Sequence, residues 1–442
     1  MSLYYQSIAG AKSMEQTNAK NDFTLEIESL AYGPYGIGRI DNQVIMVPAT
    51  VPGDKITARV TDSKGNYAFG EMVRLLQPSR LRQTPPCPYV NDCGGCPWQQ
   101  VRYEAQLKAK AQSVADALRR IGKLEGFELR PIIASPREYH YRRRVRLQCD
   151  KDKRIGFFRA FSHDLVEIDA CLIADGTLNK VIYPLRTWVN ELDTTVEHVE
   201  IVTGDDPNEI VAVGKAAGEF ISRDNSPCEH LLNQASGING LILHGDKWRK
   251  EWGHTAVSIR SDDGICLKVK GDVFTQINAQ GNRKLLRELL AAGSFDKNDQ
   301  LLELYSGAGN FTLSIAKQAR EVVAVESYRQ SIDSGKRSAQ FNGIANIRWV
   351  CAHVPAALER FAKQRERFSK IILDPPRAGA KGIERNLASL GAEKILYVSC
   401  NPASLARDLS ALARHGYKLT FVQPIDLFPH AFHVEALAVM IR

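Results

Sequence analysis

A chain of 442 residues is longer than one ordinary domain and long enough to bury two or three sizeable cores. Hydrophobic residues make up 44% and charged residues 24%, and no apolar run is long enough to span a bilayer, which excludes the helical membrane class and fits a cytoplasmic chain with no membrane partner. The net charge of +8 favours a polyanion such as nucleic acid as partner, although a basic surface of no special function gives the same excess.

Residues 1–20 open with MSLYYQSIAGAKS, which has neither the basic start nor the continuous apolar stretch of a secretory signal, and are expected to be a loose or added tail. Over residues 21–79 the segments FTLEIESL, QVIMVPA, DKITARVTDS and AFGEMVRLLQP are separated by turn signals at Gly33-Pro34, Asp41-Asn42, Pro52-Gly53-Asp54 and Lys64-Gly65-Asn66. Five or so strands of this size predict an OB-like β-barrel. A cysteine-rich loop, CPYVNDCGGCPWQQ, follows Pro85-Pro86. Next, a helical period runs from Tyr103 to Ile121, with Leu107, Ala111, Val114, Ala115 and Leu118 on the apolar face and the basic residues on a solvated one. Short strands and helices then alternate, so residues 80–270 are expected to form a central α+β domain. From 271 to 442 the strands LLELY, EVVAVE, IRWVC, KIILD, EKILYVS and EALAVMIR alternate with amphipathic helices, the pattern of a Rossmann-like, doubly wound parallel sheet.

Such sheets bind ligands outside the carboxyl ends of their strands, and the chemically suggestive residues of this chain lie there. Tyr305-Ser306-Gly307-Ala308-Gly309-Asn310 follows the first strand, its glycines allowing the backbone to approach a ligand closely. Glu326 ends the next strand about 20 residues on, where a carboxylate accepts ribose hydroxyls. That pair alone fits a dinucleotide or S-adenosylmethionine equally. Asp374-Pro375-Pro376-Arg377 follows the fourth strand, and Cys400, in YVSCNPASLARDL, follows the fifth. The remaining cysteines divide by spacing. Cys87, Cys93 and Cys96 form a Cx5Cx2C cluster, while Cys149, Cys228, Cys266 and Cys351 stand singly and read as small buried hydrophobes. Three thiols plus a fourth ligand suit zinc or an iron-sulfur cluster, and the spacing does not choose between them.

The combination of the glycine turn, DPPR, SCNPASLARDL and FPHAFHVEALAVM resembles the RNA uracil-C5 methyltransferases that use S-adenosylmethionine. The stretch Gly36-Ile37-Gly38-Arg39 to Val51-Pro52-Gly53-Asp54 resembles the TRAM domain, and the cysteine loop resembles the iron-sulfur type of this family, most like the bacterial 23S ribosomal RNA enzymes. The resemblance implies a multidomain α/β enzyme: a TRAM barrel, a central domain holding a 4Fe-4S cluster on Cys87, Cys93, Cys96 and Cys171, and a Rossmann-like methyltransferase domain. It implies that Gln276, Tyr305, Asn310, Glu326 and Asp374 hold S-adenosylmethionine. Cys400 would be the nucleophile that adds to carbon 6 of uracil, activated by Arg377 or Arg407, and Glu435 the base that removes the carbon 5 proton. On residue chemistry alone His430 and His433 are alternatives to that base. Phe274 and Tyr141-Arg142-Arg143-Arg144 are expected to handle the unstacked base and the RNA backbone.

One residue separates the chain from a neighbouring family, and at two places it departs from the pattern of the family that it resembles. Arg377 stands where related amino-group methyltransferases carry a stacking aromatic, which separates it from them. His353 is the only polar side chain offered to adenine in CAHVPAA, and Ala431 and Phe432 replace the usual Thr or Gly. The expected partner is RNA, ribosomal by preference or the T loop of transfer RNA, and the expected state a monomer. A reading of another class is a metal-containing RNA-binding or assembly protein without catalysis.

Overall fold

The computed structural model describes residues 22–233 and 236–442. The expected tail over 1–20 lies outside the described residues. The chain forms two compact units, one of residues up to 109 with 157–166 and 430–432, the other of 110–156, 167–429 and 433–442. The segment 80–270 thus contributes to both.

The first unit opens with β1 (Phe23–Glu26), β2 (Ser29–Leu30), β3 (Tyr35–Ile40), β4 (Gln43–Pro48), β5 (Lys55–Lys64) and β6 (Tyr67–Gln77), in sheet order β1-β5-β6-β4-β3-β2. The edge strands β1 and β2 are separated by only Ile27 and Glu28, so the sheet curls back on itself, which is how a small barrel removes its free edges. Alternation puts Leu25, Ile45, Val47, Ile56, Ala58 and Ala68 inside. The hairpin from β3 to β4 turns on Asp41 and Asn42, both at positive φ, the two-residue turn that their side chains tolerate. Asp54, fully buried, accepts from the backbone N–H groups of Val51 and Ser79 and pairs with Arg82. Beyond the cysteine loop Trp98 packs with Val51 and Val101, and its indole N–H donates to the Gly33 carbonyl at 3.1 Å.

Helix α1 (Tyr103–Arg120) forms as its period predicts, but its buried stripe is rotated toward Gln106, Lys110, Val114 and Leu118. Lys110, expected on a solvated face, is fully buried: its Nζ donates to Asp426 at 2.7 Å and to the Phe428 carbonyl at 2.8 Å. Periodicity cannot reveal this, because a lysine looks solvated until a buried partner far along the chain appears. Then come β7 (Glu128–Leu129), β8 (Arg144–Cys149), β9 (Ile155–Phe158), β10 (Leu165–Glu167), α2 (Gly176–Lys180), α3 (Ile182–Glu191), β11 (Val196–Thr203), β12 (Ile210–Ala216), α4 (Asn225–Asn233), β13 (Gly240–His244) and β14 (Arg249–Gly253). Strands β8 to β14 make a seven-stranded sheet in which β11 is antiparallel to β8 and β12, while β12 runs parallel to β13. A hairpin, β15 (Ala256–Arg260) with β16 (Cys266–Lys270), leads into α5 (Ala279–Gly293).

The last sheet is built from β17 (Gln300–Leu304), β18 (Glu321–Glu326), β19 (Ile347–Cys351), β20 (Lys370–Leu373), β21 (Lys394–Ser399), β22 (Lys418–Ile425) and β23 (Glu435–Ile441). Its crossover helices are α6 (Thr312–Ala316), α7 (Arg329–Phe341), α8 (Val354–Lys363), α9 (Glu384–Ser389) and α10 (Pro402–Ala413). The strand order is β19-β18-β17-β20-β21-β23-β22-β7. Strands β17 to β21 are parallel, β23 is antiparallel to both neighbours, and the winding reverses between β17 and β20. The parallel strands inside the edge strand β19 are largely apolar on both faces and pack on Leu285, Leu289, Phe311 and Leu427 on one side. That reversal point is where the doubly wound fold leaves a crevice for a ligand.

Candidate active site

Strand register brings the expected residues to one edge of this sheet. Leu304 pairs with Val325 and with Leu373, and Leu373 with Tyr397, so Tyr305, Glu326, Asp374 and Cys400 follow neighbouring carboxyl ends. Because β23 is antiparallel, its first residue arrives at the same edge. One step beyond the pair Ser399–Ala436, the register sets Cys400 opposite Glu435.

The glycine turn is conformationally demanding: Tyr305, Gly307 and Gly309 all have positive φ, which in a tyrosine costs about 1–3 kcal/mol. The Glu326 carboxylate braces it, accepting from Gly307 N–H at 3.1 Å and Tyr328 N–H at 2.8 Å. A Cβ on Gly307 would meet nothing within 4 Å, so the turn borders open space of the kind a nucleoside needs. The Asn310 amide exchanges hydrogen bonds with Asn282 at 2.7 and 3.0 Å. Asn282 was not singled out by the sequence. Its one signal is a place one turn into α5 from Asn278, whose side chain caps that helix by accepting from Gly281 N–H. Gln276 lies half-buried just ahead of that cap, and Phe274 is 66% exposed. His353 is exposed at the start of α8 and makes no side-chain cap.

Charge is concentrated around Cys400. The Asp374 carboxyl is desolvated and pushed up to about 7, and Glu435, 2% exposed, is pushed well above the usual carboxylate range by burial and by facing Asp374. Burial, with Glu435 and Asp374 beside it, also drives the Cys400 thiol up to about 12; Arg377 opposes this by its charge and a hydrogen bond to the thiol. Of the two arginines expected to activate Cys400, Arg377 is the one in place. Arg407 is turned to Asp408 and to the Ala378 carbonyl, and Asp408 accepts from Ala380 N–H, so this pair braces the loop after Asp374. Below the turn, Glu303 is 2% exposed and raised to about 8 by desolvation, with Asp374 adding to the rise.

The two histidines separate cleanly. His430 is fully buried at positive φ, where the Gln106 side chain accepts from its N–H at 2.8 Å and contacts its Nδ1 at 3.1 Å. His433 Nε2 lies 3.0 Å from Arg377 Nη2. A guanidinium only donates, so Nε2 is the acceptor and its lone pair is already used. Beside Cys400 stand the carboxyls of Glu435 and Asp374.

The arginine run is largely used inside the fold. Arg143 pairs with Asp205, Arg144 pairs with Glu200 and donates to the Gly271 and Val273 carbonyls, and the Tyr141 hydroxyl donates to the Pro429 carbonyl. These contacts hold the segment that carries Phe274 and Gln276. Cys228 and Cys266 are buried as expected, whereas Cys351 is exposed. Cys87, Cys93, Cys96 and Cys171 are half-buried. Their donor chemistry suits a soft metal, yet among the described residues no group of three or more His, Cys, Asp or Glu is arranged to hold a metal ion. Nor is any helix of the described residues long and apolar enough to cross a membrane.

Comparison with known proteins agrees with this geometry. The family described as tRNA (Uracil-5-)-methyltransferase matches residues 249–442, and the TRAM domain matches residues 22–73. The chain is 31% identical to the 23S rRNA (uracil(1939)-C(5))-methyltransferase RlmD of Aeromonas hydrophila, over 98% of this chain and 99% of that protein. It is 29% identical to an uncharacterized RNA methyltransferase of Halalkalibacterium halodurans, over 97% and 99%. The Pyrococcus abyssi tRNA (uracil-54, C5)-methyltransferase, solved with S-adenosyl-L-homocysteine, superposes with a TM-score of 0.71 over 96% of this chain and all of that one; at 23% identity this likeness concerns the fold. With a full-length relative at 31% identity and both domain matches in place, the chain belongs to the S-adenosylmethionine-dependent RNA uracil-C5 methyltransferases.

Proposed function

We propose that this enzyme methylates carbon 5 of one uridine in 23S ribosomal RNA, with Cys400 as nucleophile and Glu435 as base. The observation that carries the reading is the placement of Cys400 opposite Glu435 across β21 and β23, with Arg377 on the thiol and Asp374 facing Glu435. Carbon 5 of uracil is too weak a nucleophile to be methylated directly, so the Cys400 thiolate adds to carbon 6 and makes carbon 5 enolate-like. When bound, S-adenosylmethionine supplies the methyl group. The chain's own part is to hold it, through Gln276, Tyr305, Asn310, Glu326 and Asp374. Glu435, ionised, then takes the proton left on carbon 5, the carbon 6–sulfur bond breaks, and Cys400 leaves as thiolate. A carboxyl raised by burial suits that step, because its basicity approaches the working pH.

The preference for 23S RNA rests on the substrates named for the bacterial relatives; the archaeal structural neighbour is named for transfer RNA. Cys87, Cys93, Cys96 and Cys171 are the thiols that would hold a 4Fe-4S cluster, and no step above is routed through it. Anaerobic purification followed by iron and sulfide analysis tests that assignment, which four Cys→Ser variants should abolish. The protein is assigned as a cytoplasmic monomer, checked by light scattering.

The deciding experiment incubates the protein with S-adenosylmethionine and RNA carrying 5-fluorouridine, whose fluorine cannot leave as a proton. A covalent complex on a denaturing gel, formed with 23S fragments and lost in Cys400→Ala, is expected. An adduct only with transfer RNA would move the substrate to that class. No adduct with either RNA would favour the non-catalytic RNA-binding reading.

A further inference from the structure

We propose that His433 is a positioning residue for the thiol chemistry, its Nε2 holding the Arg377 guanidinium against Cys400. The proposal rests on the reading of Cys400 as nucleophile. Arg377 is an exposed residue on the loop after β20, and a long arginine side chain left to itself spends its time in water, since fixing it costs rotamer entropy. The 3.0 Å contact with His433 supplies a fixed acceptor on a ring that is only 8% exposed. That ring is itself immobilised, with Phe428 packed edge-on at 5.7 Å and 78°. The charged groups facing it are Arg377 from the loop after β20, Lys110 from α1 and Arg142 from the segment before β8. Burial disfavours an imidazolium first and these three cations add to it, so the ring stays in the neutral, accepting form.

The placement of Arg377 matters because Glu435 from β23 and Asp374 from the loop after β20 both oppose a thiolate at Cys400 when charged, whereas Arg377 favours it. Glu435 also attracts Arg377. Without His433 the guanidinium is free to swing toward that carboxylate or into solvent, and in either position the thiolate loses its counter-charge.

The test reads the thiol directly. The full-length protein, without RNA, is alkylated with iodoacetamide between pH 6.5 and 9.5, and the Cys400 peptide is followed by mass spectrometry, with exposed Cys351 as internal reference. Well below its pKa a thiol slows about three- to fourfold for each unit of pKa gained, so losing an adjacent counter-charge, which shifts a pKa by about 1–3 units, slows it about tenfold. H433L is expected to slow Cys400 alkylation about tenfold, as R377M does, with Cys351 unchanged, and the double variant to be no slower than R377M. H433Q, whose amide oxygen still accepts, should stay within about threefold of the parent. If H433L proves insoluble, H433N, whose amide falls short of Arg377, takes its place. The proposal is overturned if H433L stays within about twofold of the parent, if the two losses multiply in the double variant, or if R377M itself leaves the rate unchanged. The fluorouridine adduct is scored separately, so a parent enzyme that forms none sinks the nucleophile reading without altering the alkylation comparison.

Discussion

On the proposed role of Asp374 in holding S-adenosylmethionine, cofactor binding and proton release are one event. The Asp374 carboxyl, raised to about 7 by desolvation and facing the raised Glu435 carboxyl, is more protonated at pH 6 than at pH 8.5. S-adenosylmethionine carries a sulfonium and an ammonium group, and a cation beside the carboxyl favours its ionised form. The sign follows: the folded, ligand-free pKa is raised, the bound pKa is lower, and binding must expel the proton present. We expect up to about one proton released per cofactor at pH 6 and far less at pH 8.5, so that affinity rises with pH across that range. The measurement is isothermal titration calorimetry in two buffers of different ionisation enthalpy at each pH. Asp374→Asn should lose the linkage and bind about 10- to 100-fold more weakly, the worth of one hydrogen bond to a charged group. A release near zero at pH 6 in the parent, or an unchanged release in Asp374→Asn, would refute the reasoning.

Glu435→Gln should allow methyl transfer but not elimination, so with ordinary uridine RNA it should accumulate a methylated covalent complex on a denaturing gel; turnover within tenfold of the parent and no adduct would remove Glu435 from the role of base. Glu303, raised to about 8 from a usual value near 4.5, keeps stability at acid pH that is lost as pH climbs toward 8, a loss of roughly 5 kcal/mol over that window. Glu303→Gln should therefore melt with the parent at pH 5 and several degrees above it at pH 8, and identical melting curves at pH 8 would contradict its buried, strained ionisation. Lys110→Met strands Asp426 without its cation and should cost about 3–5 kcal/mol, much of it regained in Lys110→Met/Asp426→Asn; thermal unfolding of the three variants checks this.

What the sequence revealed and what it hid divide along physical lines. Strands β17 to β21 and β23 are continuous apolar runs bounded by turn residues, so their ends, and with them Tyr305, Glu326, Asp374, Cys400 and Glu435, could be placed from the pattern. Strand β22, which carries Pro424, and the two-residue β7 gave no comparable signal. Contacts between distant segments were hidden too. Asn282 with Asn310, Lys110 with Asp426 and Arg144 with the carbonyls around Asp272 join residues 28, 316 and well over 100 positions apart, and no local period encodes such pairs.

The arginines show most clearly why motif reading stops short of mechanism. Arg143, Arg144, Arg377 and Arg407 are equal candidates for RNA or thiolate contact when only residue type and position are known. The fold then distributes them by the acceptor each finds. Asp205 and Glu200 neutralise Arg143 and Arg144, Asp408 takes Arg407, and Arg377 is matched with a neutral imidazole. A carboxylate partner would have cancelled the charge of Arg377, whereas a histidine fixes its direction and leaves the charge unspent. On the proposed role of Cys400, the cation beside it is thus left to favour the thiolate, in a site where burial and two carboxyls suppress it.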